Sequence, residues 1–217
     1  VLEDTKNKII NIKQNQSDDW VLVSNAEIDG WRFVFSGITI SNDKDNILSQ
    51  RFNRQGLTGC LNFYDTTFKH AKIEVVSGAC EDGLNIVSSG GQIDFIKMNN
   101  SFADAIDIDF SKIIIDLAII DNAGNDCFDV SGGEYNLLSF EARNCGDKGI
   151  SVGERSVLNA SKVFISNANI GVSSKDLSKV LLDKVVIDNA EYCFESSKKK
   201  QEFGGSKLQA SIISCNG

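Results

Sequence analysis

Six segments of this chain repeat one another every 22 residues: "EDGLNIVS" from Glu81, "ADAIDIDF", "NDCFDVSG", "DKGISVGE", "NIGVSSKD" and "EYCFESSK" from Glu191. The fourth position of each is apolar: Leu84, Ile106, Phe128, Ile150, Val172 and Phe194. The sixth reads Ile86, Ile108, Val130 and Val152 before turning to Ser174 and Ser196. Residues two apart share one face of a strand, so these columns point inward together. The third column is small throughout: Gly83, Ala105, Cys127, Gly149, Gly171, Cys193. Further strand-like patches recur within each period, such as "QIDFIKM", "KIIIDLAII", "YNLLSFEA", "SKVFISN" and "KVLLDKVVI".

A period of 22 is too short for an ankyrin or tetratricopeptide unit, and no leucine-rich frame recurs. Two or three strands per period predict an all-β solenoid, a right-handed parallel β-helix with coils stacked at strand spacing, about 4.8 Å. The turns "NNSFA", "DNAGN" and "RNCGD" keep Asn or small residues in register, as stacked side chains serving a bent backbone require. Upstream, "GCLNFYD" and then "SGITISN" extend the register at 23-residue steps, and "DKDNILSQRFNRQG" reads as a loop leaving the coil. The earliest strands are expected in "DWVLVSNAEI" and "WRFVFSG". The chain is thus expected to form one domain over residues 1–217 with nine or ten coils. Its start at Val1 suggests a piece excised from a longer protein with other domains.

A net charge of −8 argues against nucleic acid or an anionic membrane as the main partner. No apolar run is long enough to span a membrane, so no membrane insertion is expected. His70 is the sole histidine, which argues against a histidine-rich zinc site or a Ser-His-Asp triad. It reads as a strand residue. Trp20 and Trp31 read as core or end-cap packing. The six cysteines have no metal-binding spacing. Cys127 and Cys193 share a column three coils apart, about 14 Å, too far to join. Mostly buried thiols are therefore expected, without an extensive disulfide framework.

Aligning the repeats gathers acidic residues on the outer face. The second column holds Asp82, Asp104, Asp126 and then Lys148; the fifth holds Asn85, Asp107, Asp129 and Ser151. Asp109 and Lys175 occupy the seventh, and Glu154 the eighth. Like charges stacked at coil spacing repel unless a cation, a lysine or a raised pKa relieves them.

The segments "FADAIDI", "GNDCFDVS", "CGDKGISVG" and "GVSSK" resemble, in order and spacing, the four-coil motif series of polygalacturonase-type glycosidases. Those enzymes belong to the pectin-lyase-like β-helices. The resemblance implies aspartate bases at Asp104 and Asp126 and a substrate-binding lysine at Lys175. Three positions depart from it. Asn125 stands where the catalytic acid would be, Lys148 replaces the histidine, and Ser173 replaces the arginine. Inverting hydrolysis needs a carboxyl pair with one member protonated, so ordinary glycosidase activity is not expected. Residues 57–205 also resemble repeat domains of bacterial surface or extracellular proteins.

The resulting expectation is a polysaccharide-binding or polysaccharide-modifying domain, extracellular or on a cell surface. Asp104, Asp126 and Lys148 are its candidate catalytic residues; Asn125, Asp107, Asp129, Lys175 and Glu154 are its candidate substrate contacts. In lyase or epimerase chemistry, Lys148 would be the base if burial lowers its pKa, with Lys175 on a uronate carboxylate. Asp107, Asp109 and Asp129 could offer oxygen ligands to calcium, although no compact calcium loop is present. The alternative is a non-catalytic structural or glycan-binding module, favoured by the three departures and by sparse aromatic residues on the outer face. Self-association through the solenoid ends or through "SSKKKQEFGG" is a third reading; a lysine run is by default solvated surface.

Overall fold

A computed structural model describes residues 1–39 and 52–216. Among these there is no helix, and seventeen strands join in one continuous ladder. From Leu84 onward the pairing is parallel at a constant step: Ile106 lies beside Leu84, Phe128 beside Ile106, Ile150 beside Phe128, and Val172 beside Ile150. Parallel strands stacked at this interval form a β-solenoid with about 22 residues per turn and about eight turns.

One coil shows why the sequence folds this way. Its three short faces each turn two apolar side chains inward: Ile106 and Ile108, then Ile113 and Ile115, then Ala118 and Ile120, all buried. Two inward residues per short strand satisfy the period-2 rule on every face, and the corners absorb the odd residues. The same columns stack from coil to coil. Phe128 packs edge-on against Phe140 with ring centroids 5.7 Å apart. Phe194 is only half-buried, because the last turn has a single neighbour.

The turn count falls below nine or ten because the N-terminal coils use more chain. Gly59–Tyr64 pairs with Val21–Ser24, forty positions upstream, rather than with "SGITISN". In that segment Ser36 ends the strand Arg32–Ser36, residues 37–39 are not strand, and the remainder lies outside the described residues. Most of the expected loop, residues 43–51, lies outside them too. The first strands are Leu2–Asp4 and Ile9–Lys13, an antiparallel pair at the N-terminal end. Trp31 packs against the core, whereas Trp20 is exposed. His70 sits at a register break in the strand Thr67–Val76, at φ 57°, with Nδ1 2.9 Å from Asp94 Oδ1.

Polar ladders hold the corners. Asn122, Asn144, Asn167 and Asn189 all adopt left-handed backbone, which Asn tolerates better than most residues. Asn189 donates to Asn167 at 2.7 Å and Asn167 to Asn144 at 2.9 Å, so each side chain fills an acceptor on the coil before it. A second corner carries buried hydroxyls. The backbone N–H of Thr66 donates to Ser89 Oγ and that of Ser89 to Ser111 Oγ, each at 3.0 Å. This row breaks at Gly133, where an added Cβ would lie 2.2 Å from the Ser111 carbonyl and 2.4 Å from the Tyr135 hydroxyl. The buried Tyr135 hydroxyl takes that space, within hydrogen-bond reach of the Ile108 and Ser131 carbonyls at 2.9 and 2.8 Å.

The expectation of buried thiols is overturned. All six cysteines are paired: Cys60–Cys80, Cys127–Cys145 and Cys193–Cys215. Down a column, cysteines three coils apart cannot meet. Across the coil they can: Cys127 and Cys145 stand 18 residues apart in sequence but 5.4 Å apart at Cα, because one turn brings the chain back beside itself.

Candidate polar groove

The strands Asp82–Val87, Asp104–Asp109, Phe128–Ser131 and Lys148–Gly153 present the outward columns seen in the repeat. Asp104 and Asp126 occupy one edge. Their carboxylates are engaged with the next coil: Asp104 Oδ1 accepts the Asp126 backbone N–H at 2.8 Å, and Asp126 Oδ1 accepts the Lys148 backbone N–H at 3.0 Å. Asn125 is exposed and donates to the same Asp104 oxygen at 2.6 Å. Asp126 is only 3% exposed. Two of the three candidate catalytic residues therefore serve as inter-coil backbone acceptors.

Lys148 is half-buried, with Nζ 3.5 Å from Asp126 Oδ1 and a closer bond to Asp147. Burial alone would lower its pKa, but the hydrogen bond to Asp147 and the charges of Asp126 and Asp147 outweigh it and raise the value. A lysine held as a cation is a poor proton acceptor. Its role as a base under lowered pKa is not supported.

The floor between these edges is the fifth column, Asn85, Asp107, Asp129, Ser151, Ser173 and Glu195, one per coil, with Asn85, Ser151 and Ser173 buried and the three acids partly exposed. Here hydrogen bonds run between side chains. Asn85 donates to Asp107 at 3.1 Å, and Ser173 donates to Glu195 at 2.5 Å. Lys175 comes from the far edge, passes over Gly153 and donates to Ser151 Oγ at 2.7 Å. It is 8% exposed. Burial pushes Asp129 up to about 6; the Lys175 charge opposes the rise, while Asp126 adds to it. Asp107 lies well above the ordinary carboxylate range, through burial first and then the charges of Asp82, Asp109 and Asp129.

At the far edge Ser131 bonds Asp109, and Lys200 forms an ion pair with Glu154. Lys200 belongs to the 198–206 segment, whose backbone N–H groups at Lys199 and Lys200 donate to Asp176 at 2.7 and 2.8 Å. The lysine run is thus partly anchored, with Lys200 paired to Glu154. On the opposite side Thr58 hydrogen-bonds Asp82.

The structure thus brings Asp104, Asp126 and Lys148 together at one edge, Asp107 and Asp129 on the floor, and Lys175 and Glu154 toward the other edge. Asp82, Thr58 and Lys200 were not among the candidate site residues. Asp82 was legible as the first aspartate of its column and Thr58 as the residue before Gly59 in the upstream coil, whereas Lys200 enters from a segment outside the repeat. The outer face is also less sparse in aromatics than expected: Tyr64, Phe102, Phe110 and Tyr192 are all exposed. Among the described residues no three His, Cys, Asp or Glu side chains are grouped as a metal ion requires. Among them, too, no helix is long and apolar enough to cross a membrane.

The chain matches no protein-family model, no curated protein and no solved structure.

Proposed function

We propose that this domain binds polysaccharide along the floor of the groove, without cleaving it. The observation that carries this reading is the row Asn85–Asp107–Asp129–Ser151–Ser173–Glu195, in which Asp107, Asp129 and Glu195 stay partly exposed while Asn85, Ser151 and Ser173 are buried among them. Asp107 and Asp129 stand on adjacent coils, about 4.8 Å apart, and offer carboxylate acceptors to the hydroxyls of an extended polymer. The polygalacturonase-like order of the motifs supports a carbohydrate ligand. The backbone duties of Asp104 and Asp126, with asparagine at position 125, argue against hydrolysis. Three disulfides fit an oxidising compartment, so the domain is read as extracellular or surface-exposed.

A second reading has its own support. The inter-coil bonds of Asp104, Asp126 and Lys148 would equally suit a rigid spacer in a surface protein. Calorimetry with soluble hexasaccharides separates the two. Binding that is lost in an Asp107→Ala/Asp129→Ala variant that still folds supports the glycan groove. Absence of binding to neutral, anionic and cationic hexasaccharides alike leaves the spacer.

A further inference from the structure

We infer that the groove selects a cationic glycan, an amino-sugar polymer carrying free ammonium groups, over neutral or uronate polymers. This rests on the glycan-binding reading above. Charge is the first argument. Asp82, Asp104, Asp107, Asp109, Asp126, Asp129, Glu154 and Glu195 share the outer columns with Lys148 and Lys175, and Lys200 reaches them from beyond the repeat. Each of these three lysines already has a partner: Lys148 bonds Asp147 and Asp126, Lys175 bonds Ser151, and Lys200 bonds Glu154. A uronate would bring another negative charge to carboxylates whose neighbouring lysines Lys148, Lys175 and Lys200 are already paired, and would have to reach the exposed Lys198 of the eighth column. An ammonium group would meet carboxylates that are short of one.

The second argument comes from Asp82. It is 2% exposed, and its Oδ2 has no hydrogen-bond partner. Burial raises its pKa first, and the charges of Asp104, Glu81 and Asp129 add to the rise. An unpaired buried acceptor among like charges marks a row with too few donors. An added cation at the neighbouring Asp107 and Asp129 would relieve the repulsion.

The rims supply the third argument. Phe102, 41% exposed, and Phe110, 67% exposed, border the two ends of the strand Asp104–Asp109. The Phe110 ring lies over Gly132, whose missing Cβ leaves it room. Tyr64 stands in the seventh column and Tyr192 in the second, so exposed aromatics recur at both edges. Aromatic faces attract both the C–H faces of sugar rings and nearby ammonium groups.

A basic peptide has the same charge but a different repeat. Side chains on one face of an extended peptide recur every ~6.6 Å, against about 4.8 Å between coils. A pyranose ring is close to one coil rise in length, so one sugar per coil keeps register where a peptide drifts.

The test is calorimetric titration of the whole chain with four probes: glucosamine hexasaccharide, N-acetylglucosamine hexasaccharide, galacturonate hexasaccharide and hexalysine. The glucosamine oligomer is expected to bind at least about tenfold tighter than the other three, with affinity falling as salt is raised. In Asp107→Asn/Asp129→Asn the preference over the N-acetylated oligomer should collapse. Asparagine already stands at positions 62 and 85 of the same column, so the fold should tolerate it. Equal or tighter binding of the neutral or uronate oligomer overturns the inference while leaving the glycan groove standing. Equal binding of hexalysine removes the carbohydrate specificity. If no probe binds, the glycan reading falls and the inference with it.

Discussion

Asp104 Oδ1 accepts the backbone N–H of Asp126, and Asp126 Oδ1 accepts that of Lys148, so two aspartates one turn apart tie three successive coils together. A carboxylate acceptor strengthens a backbone bond, and its removal leaves a part-buried N–H without a partner. Asp126→Ala should therefore lower stability by about 1–3 kcal/mol, whereas Asp126→Asn, which keeps an acceptor oxygen, should cost less. Urea unfolding of the two variants measures the difference. Equal stabilities for alanine and wild type would remove Asp126 from the inter-coil ladder.

Lys148 should behave as a structural cation. Lys148→Met keeps the length of the side chain but leaves Asp126 and Asp147 unrelieved, so the melting temperature should fall, more at low salt than at high salt. An unchanged melting temperature at low salt would show that the pair contributes nothing to the fold.

The pH dependence follows from Asp129. Its folded value of about 6 stands above the ordinary 3.8, so the folded protein binds this proton more tightly than the unfolded chain. The stability contributed by the protonated form is fully present below about 3.8 and is lost as pH rises through about 6. Asp107 acts with the same sign. Unfolding at pH about 5 should need more urea than at pH about 7.5, and Asp129→Asn should narrow the gap by stabilising the protein at the higher pH. A profile unaltered by Asp129→Asn would mean that the carboxyl titrates normally.

The disulfides offer a direct count. Under denaturing, non-reducing conditions no free thiol should be detected. Replacing both Cys127 and Cys145 with alanine should cost about 2–5 kcal/mol, the usual range for removing a native bridge. Six titratable thiols in protein purified under oxidising conditions would restore the picture of buried free cysteines.

Gly133 provides a steric test. Gly133→Ala would force a Cβ against the Ser111 carbonyl and the Tyr135 hydroxyl. Overpacking of this kind costs about 1–3 kcal/mol. Gly205, which has nothing within 4 Å of its added Cβ, serves as the control. Similar melting temperatures for Gly133→Ala and Gly205→Ala would contradict the close approach at Tyr135.

The fold was legible in particular residues. Leu84, Ile106, Phe128 and Ile150 announce their stacking because a solenoid converts a fixed sequence interval into a fixed contact, so period and fold carry the same information. The asparagine corners were legible for the same reason. The site was legible only as columns. The repeat placed Asp104 beside Asp126 and Asp107 beside Asp129, but it could not say which carboxylates the backbone would use. That depends on side-chain direction at a corner, where the period-2 rule no longer holds.

By itself the sequence determined what repeats: the parallel coils, the inward columns and the acidic outer face, since each is set by spacing along the chain. The tertiary structure alone decided what crosses the coil or arrives from outside it. Cys127 met Cys145 rather than Cys193, Lys200 reached the groove from a segment outside the register, and Lys148 was held charged between two aspartates. Contacts of that kind depend on how each turn closes in space, which no interval along the chain encodes.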